Sequence, residues 1–228
     1  MEKNGVLYLV ATPIGNMEDI TLRALKVLRE CDIVAAEDTR QTLKLLNHFK
    51  IKKPLTSYHR HNRAAKGEYL AGQLKEGKHI ALVSDAGSPG ISDPGEDMVR
   101  LAIEHGIEYT MIPGPSAVIT GLVPSGLPGE RFVFEGFLPA NKKERRDRIS
   151  SIKNEERTVV FYEAPHKLVR TLEDLRKTLG DRRIVLAREL TKKFEELIRT
   201  TLEEAADMYS ETPPRGEFVL VMEGADRR

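Results

Sequence analysis

Cysteine occurs once in the 228 residues, at position 31, and tryptophan is absent. A single thiol closes no disulfide within the chain and assembles no metal cluster, so Cys31 reads as a buried structural thiol and no metal site is expected. No apolar run approaches the roughly 18 residues that a membrane-spanning helix needs. The stretch from Gly5 to Ala11 is too short for one and lacks the flanks of a signal peptide. The expectation is therefore a soluble protein of the cytoplasm with no membrane partner. The 17 glycines and 12 prolines follow no fixed period, which excludes a collagen-like chain. Internal repeats and low-complexity tracts are also missing. What the chain does have is 40% hydrophobic and 31% charged residues, enough for one large domain or two small ones with a real core.

The net charge of +1 predicts no polyanionic partner by itself, but the charges are unevenly spread. From Thr39 to Gly67 there is no Asp or Glu, while Arg40, Lys44, Lys50, Lys52, Lys53, Arg60, Arg63 and Lys66 all fall there, with His48, His59 and His61. A second basic stretch runs from Lys142 to Lys153, where Lys142, Lys143, Arg145, Arg146, Arg148 and Lys153 face only Glu144 and Asp147. The compensating acids lie elsewhere, so a bipolar molecule is expected.

Strand-like and helix-like runs alternate through the first half. Apolar, β-prone runs occupy Gly5 to Ala11, Asp32 to Ala36, Leu55 to Tyr58, His79 to Val83 and Glu108 to Ile112. Helical patterns start near Asp19 and fill Thr39 to Phe49, Asn62 to Glu76 and Pro94 to His105. Such alternation requires crossovers, hence a mostly parallel sheet with helices on both faces. The texture changes after Pro113, and a boundary is placed between 114 and 115. Beyond a helix at Ser116 to Leu122, strands are expected at Arg131 to Glu135, Thr158 to Tyr162, Ile184 to Arg188, Glu195 to Thr200 and Glu217 to Met222. Helices are expected at Lys142 to Lys153, His166 to Leu179 and Leu202 to Tyr209. The fold class is α/β, with an N-terminal domain at 1–114 and a C-terminal domain at 115–228, and a ligand is expected in the cleft between them.

Chemistry in open α/β sheets sits beyond the carboxyl ends of strands. The loop Ala11-Thr12-Pro13-Ile14-Gly15-Asn16 lacks both the G-x-G-x-x-G and the G-x-x-x-x-G-K-[ST] patterns, so it is not expected to wrap a pyrophosphate. Ser84 to Gly95 is rich in Gly and Pro, a backbone that a ligand can approach closely; within it Asp93 reads as a helix cap with Pro94 at the first helical position. Ile112-Pro113-Gly114-Pro115-Ser116-Ala117 and Phe161-Tyr162-Glu163-Ala164-Pro165-His166 complete the set.

Six segments in order, LVATPIGNMEDIT, AAEDTR, ALVSDAGSPGISDPG, IPGPSA, FEGFLP and VVFYEAPHKL, together resemble the ribosomal RNA small subunit methyltransferase I family, a branch of the tetrapyrrole methylases. The likeness spans Val6 to Glu223. It implies two α/β domains of the tetrapyrrole methylase type, a homodimer, S-adenosylmethionine in the interdomain cleft, and 2′-O-methylation of one cytidine in the decoding centre of 16S rRNA within the small ribosomal subunit. The family's cofactor loop corresponds to Ser84 to Pro89, placing Asp85, Ala86, Gly87 and Ser88 on the cofactor, and Ser84-Asp85-Ala86 departs from the superfamily's usual G-D-P. The second contact corresponds to the turn Gly114-Pro115-Ser116-Ala117, placing Ser116 and Ala117 on the cofactor. The adenosine side resembles Tyr162, Glu163, Ala187 and Arg188, with Pro13 a wall of the cleft. Relatives carry a further helical region after the last strand; this sequence stops at Arg228, so RNA contacts from such a region are expected to be absent.

Methyl transfer is an in-line displacement in which holding the hydroxyl near the methyl carbon supplies much of the rate. A base, if used, must reach the 2′-hydroxyl. Glu37, Asp38, Asp85, Glu163, His59 and His61 all qualify by position. The competing reading is a cap before Thr39 for Glu37 and Asp38, and a solvated loop for the histidines. Arg40, Lys44, Arg60, His61 and Arg63 are candidates to grip RNA phosphates, with Lys142, Lys143, Arg145 and Arg146 extending the footprint, and Tyr58 could stack on a base. Two other classes remain open: a small-molecule methylase acting on a tetrapyrrole, and a non-catalytic RNA-binding protein.

Overall fold

A computed structural model describes residues 4–226. They form two compact units that divide between Ser116 and Ala117.

The first unit alternates strictly: β1 (Val6–Val10), α1 (Leu22–Glu30), β2 (Ile33–Ala36), α2 (Thr39–His48), β3 (Leu55–Ser57), α3 (Arg63–Lys75), β4 (Ile80–Val83), α4 (Gly95–Glu104) and β5 (Glu108–Ile112). These strands pair in parallel, in the order β3-β2-β4-β1-β5. The inner strands β1, β2 and β4 read as apolar runs because both faces are covered, whereas the edge strands β3 and β5 carry polar and exposed residues. Val10, Val34, Ala36, Ala81 and Val83 pack with Ala24, Leu28, Leu45 and Leu46 of α1 and α2. Leu7, Leu9, Ala35, Ile80 and Leu82 face Leu70, Leu74, Met98 and Ala102 of α3 and α4. Each large aliphatic side chain so buried contributes about 1.5–3 kcal/mol. Thr21 starts α1 by accepting from the Ala24 N–H at 3.1 Å.

Right-handed crossovers and this strand order fix where a site forms. From β2 the chain moves outward to β3; from the adjacent β4 it moves the other way, past β1 to β5. The connections diverge between β2 and β4, so the carboxyl ends of those two strands, at Glu37 and Ser84, flank the crevice of the sheet.

The second unit comprises α5 (Ala117–Ser125), β6 (Phe132–Phe137), α6 (Lys142–Ser151), β7 (Thr158–Glu163), α7 (Pro165–Leu179), β8 (Arg183–Arg188), β9 (Glu196–Thr201), α8 (Leu202–Glu211) and β10 (Phe218–Met222). Its sheet runs β6-β7-β10-β8-β9. Only β6 and β7 are parallel; β7–β10, β10–β8 and β8–β9 are antiparallel. The parallel arrangement expected from strand–helix alternation in the first half holds for the first sheet, and the second sheet is mixed. The short loop from β8 to β9 is a hairpin, and short connections force antiparallel neighbours. Phe161, Leu168, Leu172, Leu186, Leu202 and Leu220 form the core under α7 and α8. On the other face α5 lies so close that a Cβ on Gly121 would stand 2.8 Å from Val219 Cγ1.

Candidate functional site

Four loops at the carboxyl edge of the first sheet are stitched together. Thr12 N–H donates to the Gly87 carbonyl at 2.9 Å and Gly87 N–H returns to the Thr12 carbonyl at 3.0 Å, joining the loops after β1 and β4. Gly87 has φ +78, a left-handed conformation that glycine takes without strain. Ser84 Oγ donates back to the Ala86 and Gly87 carbonyls at 3.3 and 3.4 Å, and Ser88 Oγ donates to the Pro115 carbonyl at 3.4 Å, drawing in the loop after β5. The Asp85 carboxylate accepts from the Asp38 N–H at 2.9 Å, which brings in the loop after β2. Pro13 and Ser88 are half-buried beside this seam, and Ala86 is exposed.

The carboxylates here differ sharply. Asp38 caps α2, accepting the Arg40 N–H at 2.8 Å, and is forked by the Arg40 guanidinium at 3.1 and 2.7 Å. Those bonds hold its carboxyl down at about 2. Asp38 is thus a helix cap in an ion pair and a poor proton acceptor, which corrects its place among the bases. Arg40 is in turn committed to Asp38, although its side chain stays largely exposed. Glu37 goes the opposite way: burial raises its carboxyl pKa, and the nearby charges of Asp85 and Asp93 add to the rise. Asp85 is also raised, chiefly by burial. Asp93 does not cap α4 as expected. Pro94 holds that position, and the Asp93 carboxylate turns back to accept from Gly90, Ile91 and Gly95 N–H groups at 2.7–3.2 Å, closing the Gly/Pro loop on itself.

After β3, Asn62 locks a turn: its Oδ1 accepts from His59 N–H at 2.8 Å and its Nδ2 donates to Ser57 O and Oγ at 3.2 and 3.0 Å. The turn leaves Arg60 and His61 exposed at its tip, with His59 half-buried beneath. Tyr58 is 1% exposed and packs with the α3–α4 core, so it cannot stack on a base; burial pushes its hydroxyl up to about 12. Arg63 is paired to Asp97 at 2.6 Å. Lys44 is exposed on α2 and donates to Gln41 Oε1 at 3.2 Å.

In the second unit three expected contact residues turn inward. Arg145 is 4% exposed, while Lys142, Lys143 and Arg146 of the same helix are exposed. Its Nε donates to Asp174 at 2.6 Å and its Nη2 to Thr171 Oγ1 at 2.7 Å, so it is an internal ion pair and no phosphate contact. Glu163, 3% exposed, accepts from Thr171 Oγ1 and from Ala164 N–H, so it is structural rather than open to a ligand or a substrate proton. Ala187 is fully buried in β8 beneath α5. Arg188 is tied to the Arg215 carbonyl and to Glu196, each at 2.8 Å. Tyr162 and Ala117 remain half-exposed, and the Tyr162 ring meets Phe134 and Phe137 at centroid distances of 4.9 and 5.5 Å. Ser116, at the end of the first unit, is also half-exposed. Thr191, in the hairpin after β8, was not among the residues expected from sequence. It has φ +65, and its Oγ1 is buried without a hydrogen bond among the described residues. A lone threonine after a strand carries no signal of that.

Residues 6–206 match the family described as Tetrapyrrole (Corrin/Porphyrin) Methylases. Proteins named ribosomal RNA small subunit methyltransferase I are 53% identical in Halalkalibacterium halodurans, over 98% of this chain and 77% of that protein, and 47% identical in Thermotoga maritima, over 97% and 100%. The chain belongs to the ribosomal RNA small subunit methyltransferase I family. Its fold is that of the tetrapyrrole methylases, and solved structures agree. Uroporphyrin III C-methyltransferase from Thermus thermophilus superposes with a TM-score of 0.69 at 17% identity, covering 96% of this chain and 97% of that one. Cobalt precorrin-4 methyltransferase gives 0.68 at 16%, covering 96% and 94%.

Proposed function

We propose that this chain moves the methyl group of S-adenosylmethionine onto the ribose 2′-hydroxyl of a cytidine in the decoding centre of 16S rRNA. It would act on the small ribosomal subunit in the cytoplasm, as a homodimer. The observation that carries this is the near-full-length identity of about half the residues to ribosomal RNA small subunit methyltransferases I. A further structure of the Thermus uroporphyrin-III C-methyltransferase, with a TM-score of 0.67, is complexed with S-adenosylhomocysteine. The residues here suit such a group. At Gly87 a Cβ would only make ordinary contacts, 3.4 Å from Ile14 Cγ2 and 3.7 Å from the Pro115 carbonyl, but φ +78 strains any other residue there, so glycine keeps the loop in this shape with its backbone bare.

In the first unit Pro13, Asp85, Ala86, Gly87, Ser88 and Ser116 would hold the cofactor; in the second, Ala117 and Tyr162 are suited to it. When bound it supplies an electrophilic methyl group on a sulfonium. The chain's own task is to orient the ribose hydroxyl and accept its proton. Glu37 is suited to that: it lies at the crevice end of β2 and its raised pKa makes it a better proton acceptor than an ordinary carboxylate. Arg60 and His61 at the exposed turn, with Lys44, are suited to the phosphates beside the acceptor nucleotide. Lys142, Lys143 and Arg146 would lengthen the footprint.

The test is transfer of labelled methyl from S-adenosylmethionine to unmethylated 30S subunits, followed by nucleoside analysis. Labelled 2′-O-methylcytidine in 16S rRNA is the expected result. Cofactor binding without incorporation into RNA would overturn the substrate assignment.

A further inference from the structure

Arg145, Thr171 and Glu163 form a chain of bonds whose direction is fixed. The Arg145 guanidinium can only donate, so Thr171 Oγ1 accepts from it. The single hydroxyl proton of Thr171 is then given to Glu163 Oε2. The other carboxylate oxygen takes the Ala164 N–H at 2.8 Å. Asp174 receives Arg145 Nε at 2.6 Å and balances its charge. The chain of bonds thus runs from α6, through α7, to the last residue of β7.

Its location argues for more than packing. Apolar side chains of similar volume would fill such a space as well or better, so a buried ion pair by itself is weak evidence for stability. This one sits at a strand end, where the Glu163 carboxylate fixes the peptide plane between Glu163 and Ala164. Strand alternation puts Phe161 and Glu163 on the face covered by α7, and Tyr162 on the opposite face, against Phe134 and Phe137. Tyr162 directly precedes the residue so anchored, so the strand end that carries its ring is held from α6 and α7.

We propose that Arg145 and Thr171 are positioning residues for cofactor binding, acting through Glu163 to hold the Tyr162–Ala164 end of β7 in place without touching the cofactor. The proposal rests on the assignment of Tyr162 to the S-adenosylmethionine site.

Thr171→Val keeps the shape and removes both bonds, whereas Thr171→Ser keeps them. Calorimetry with S-adenosylhomocysteine on the whole chain, together with KM values for S-adenosylmethionine and for 30S subunits, separates positioning from a general loss of structure. Thr171→Val is expected to weaken S-adenosylhomocysteine about tenfold and to raise KM for S-adenosylmethionine in parallel, leaving KM for 30S unchanged, a size within the range of remote positioning effects. Thr171→Ser should restore the wild-type values. A lower Tm with unchanged S-adenosylhomocysteine affinity would overturn the proposal, as would a rise in both KM values together. Arg145→Lys, which keeps the charge but cannot serve Asp174 and Thr171 with a planar fork, provides the same readout should Thr171→Val fail to fold. Wild-type protein that binds no S-adenosylhomocysteine would instead refute the cofactor assignment itself, a result visible before any variant is made.

Discussion

The backbone N–H of Asp38 donates to the Asp85 carboxylate at 2.9 Å, tying together the loops that follow β2 and β4, where the connections of the first sheet diverge. Asp85→Ala breaks this tie and Asp85→Asn keeps an acceptor oxygen for it. Cofactor affinity measured by calorimetry should fall more than tenfold in the alanine variant and less in the asparagine one, with a stability loss of about 1 kcal/mol for the missing bond.

Glu37 and Asp38 are adjacent and should respond oppositely to pH. The folded chain holds the Glu37 proton more tightly than the unfolded chain does, so the carboxyl opposes folding increasingly as pH rises through its raised pKa. Asp38 is held at about 2, so its contribution is present above the unfolded value of 3.8 and disappears as pH falls toward 2. Glu37→Gln should consequently be more stable than wild type at neutral pH while losing roughly 100-fold in kcat. Denaturant titrations across pH and single-turnover rates measure the two effects.

Asp93 should tune the same residue from a distance. Its charge is one of two that raise Glu37. Asp93→Asn keeps an acceptor for the Gly90 and Gly95 N–H groups, and the acid limb of the pH–kcat profile should move to lower pH. A limb that stays in place would show that Glu37 is not the titrating base.

Basic residues of α6 that look alike in sequence should separate in a salt titration. Replacing exposed Lys142 and Lys143 by Ala should flatten the slope of log K against log salt by about 0.7 for each phosphate no longer neutralised, as for a single strand. Arg145→Ala should leave the slope of the folded fraction unchanged and cost about 1–3 kcal/mol in unfolding free energy, since Thr171 loses a buried donor while Asp174 is open to water. Arg60→Ala should behave like the lysines.

Close packing of α5 gives a prediction independent of the chemistry. Gly121→Ala places a methyl 2.8 Å from Val219 Cγ1 and should destabilise the protein by about 1–3 kcal/mol. Thermal unfolding is the check.

The alternation of strands and helices could be read from the sequence because parallel strands buried on both faces are uninterrupted apolar runs, as in IALV of β4. Strand direction in the second sheet could not, because nothing local in FVLVM of β10 says that it inserts antiparallel between β7 and β8. The carboxyl-edge loop of the candidate site was legible where backbone chemistry decides its shape, in the glycine and proline of Ser84 to Gly95. The site was illegible where a side chain has two possible destinations. Arg145 and Arg146 differ by one step around a helix, and only the position of α7 determines that the first is buried. Tyr58 likewise sits at a strand end, and the packing of α3 against α4 is what closes over it.

The central place of β10 bears on how the chain acquires its structure as it is made. Every strand of the first sheet lies between Val6 and Ile112, so that unit can complete its hydrogen bonding while the remainder is still being translated. The second sheet has a gap between β7 and β8 until Phe218–Met222 arrives to fill it. A nascent chain paused before that segment would carry one finished unit and one open sheet with two unpaired apolar edges, the form of this protein most exposed to chaperones and to aggregation.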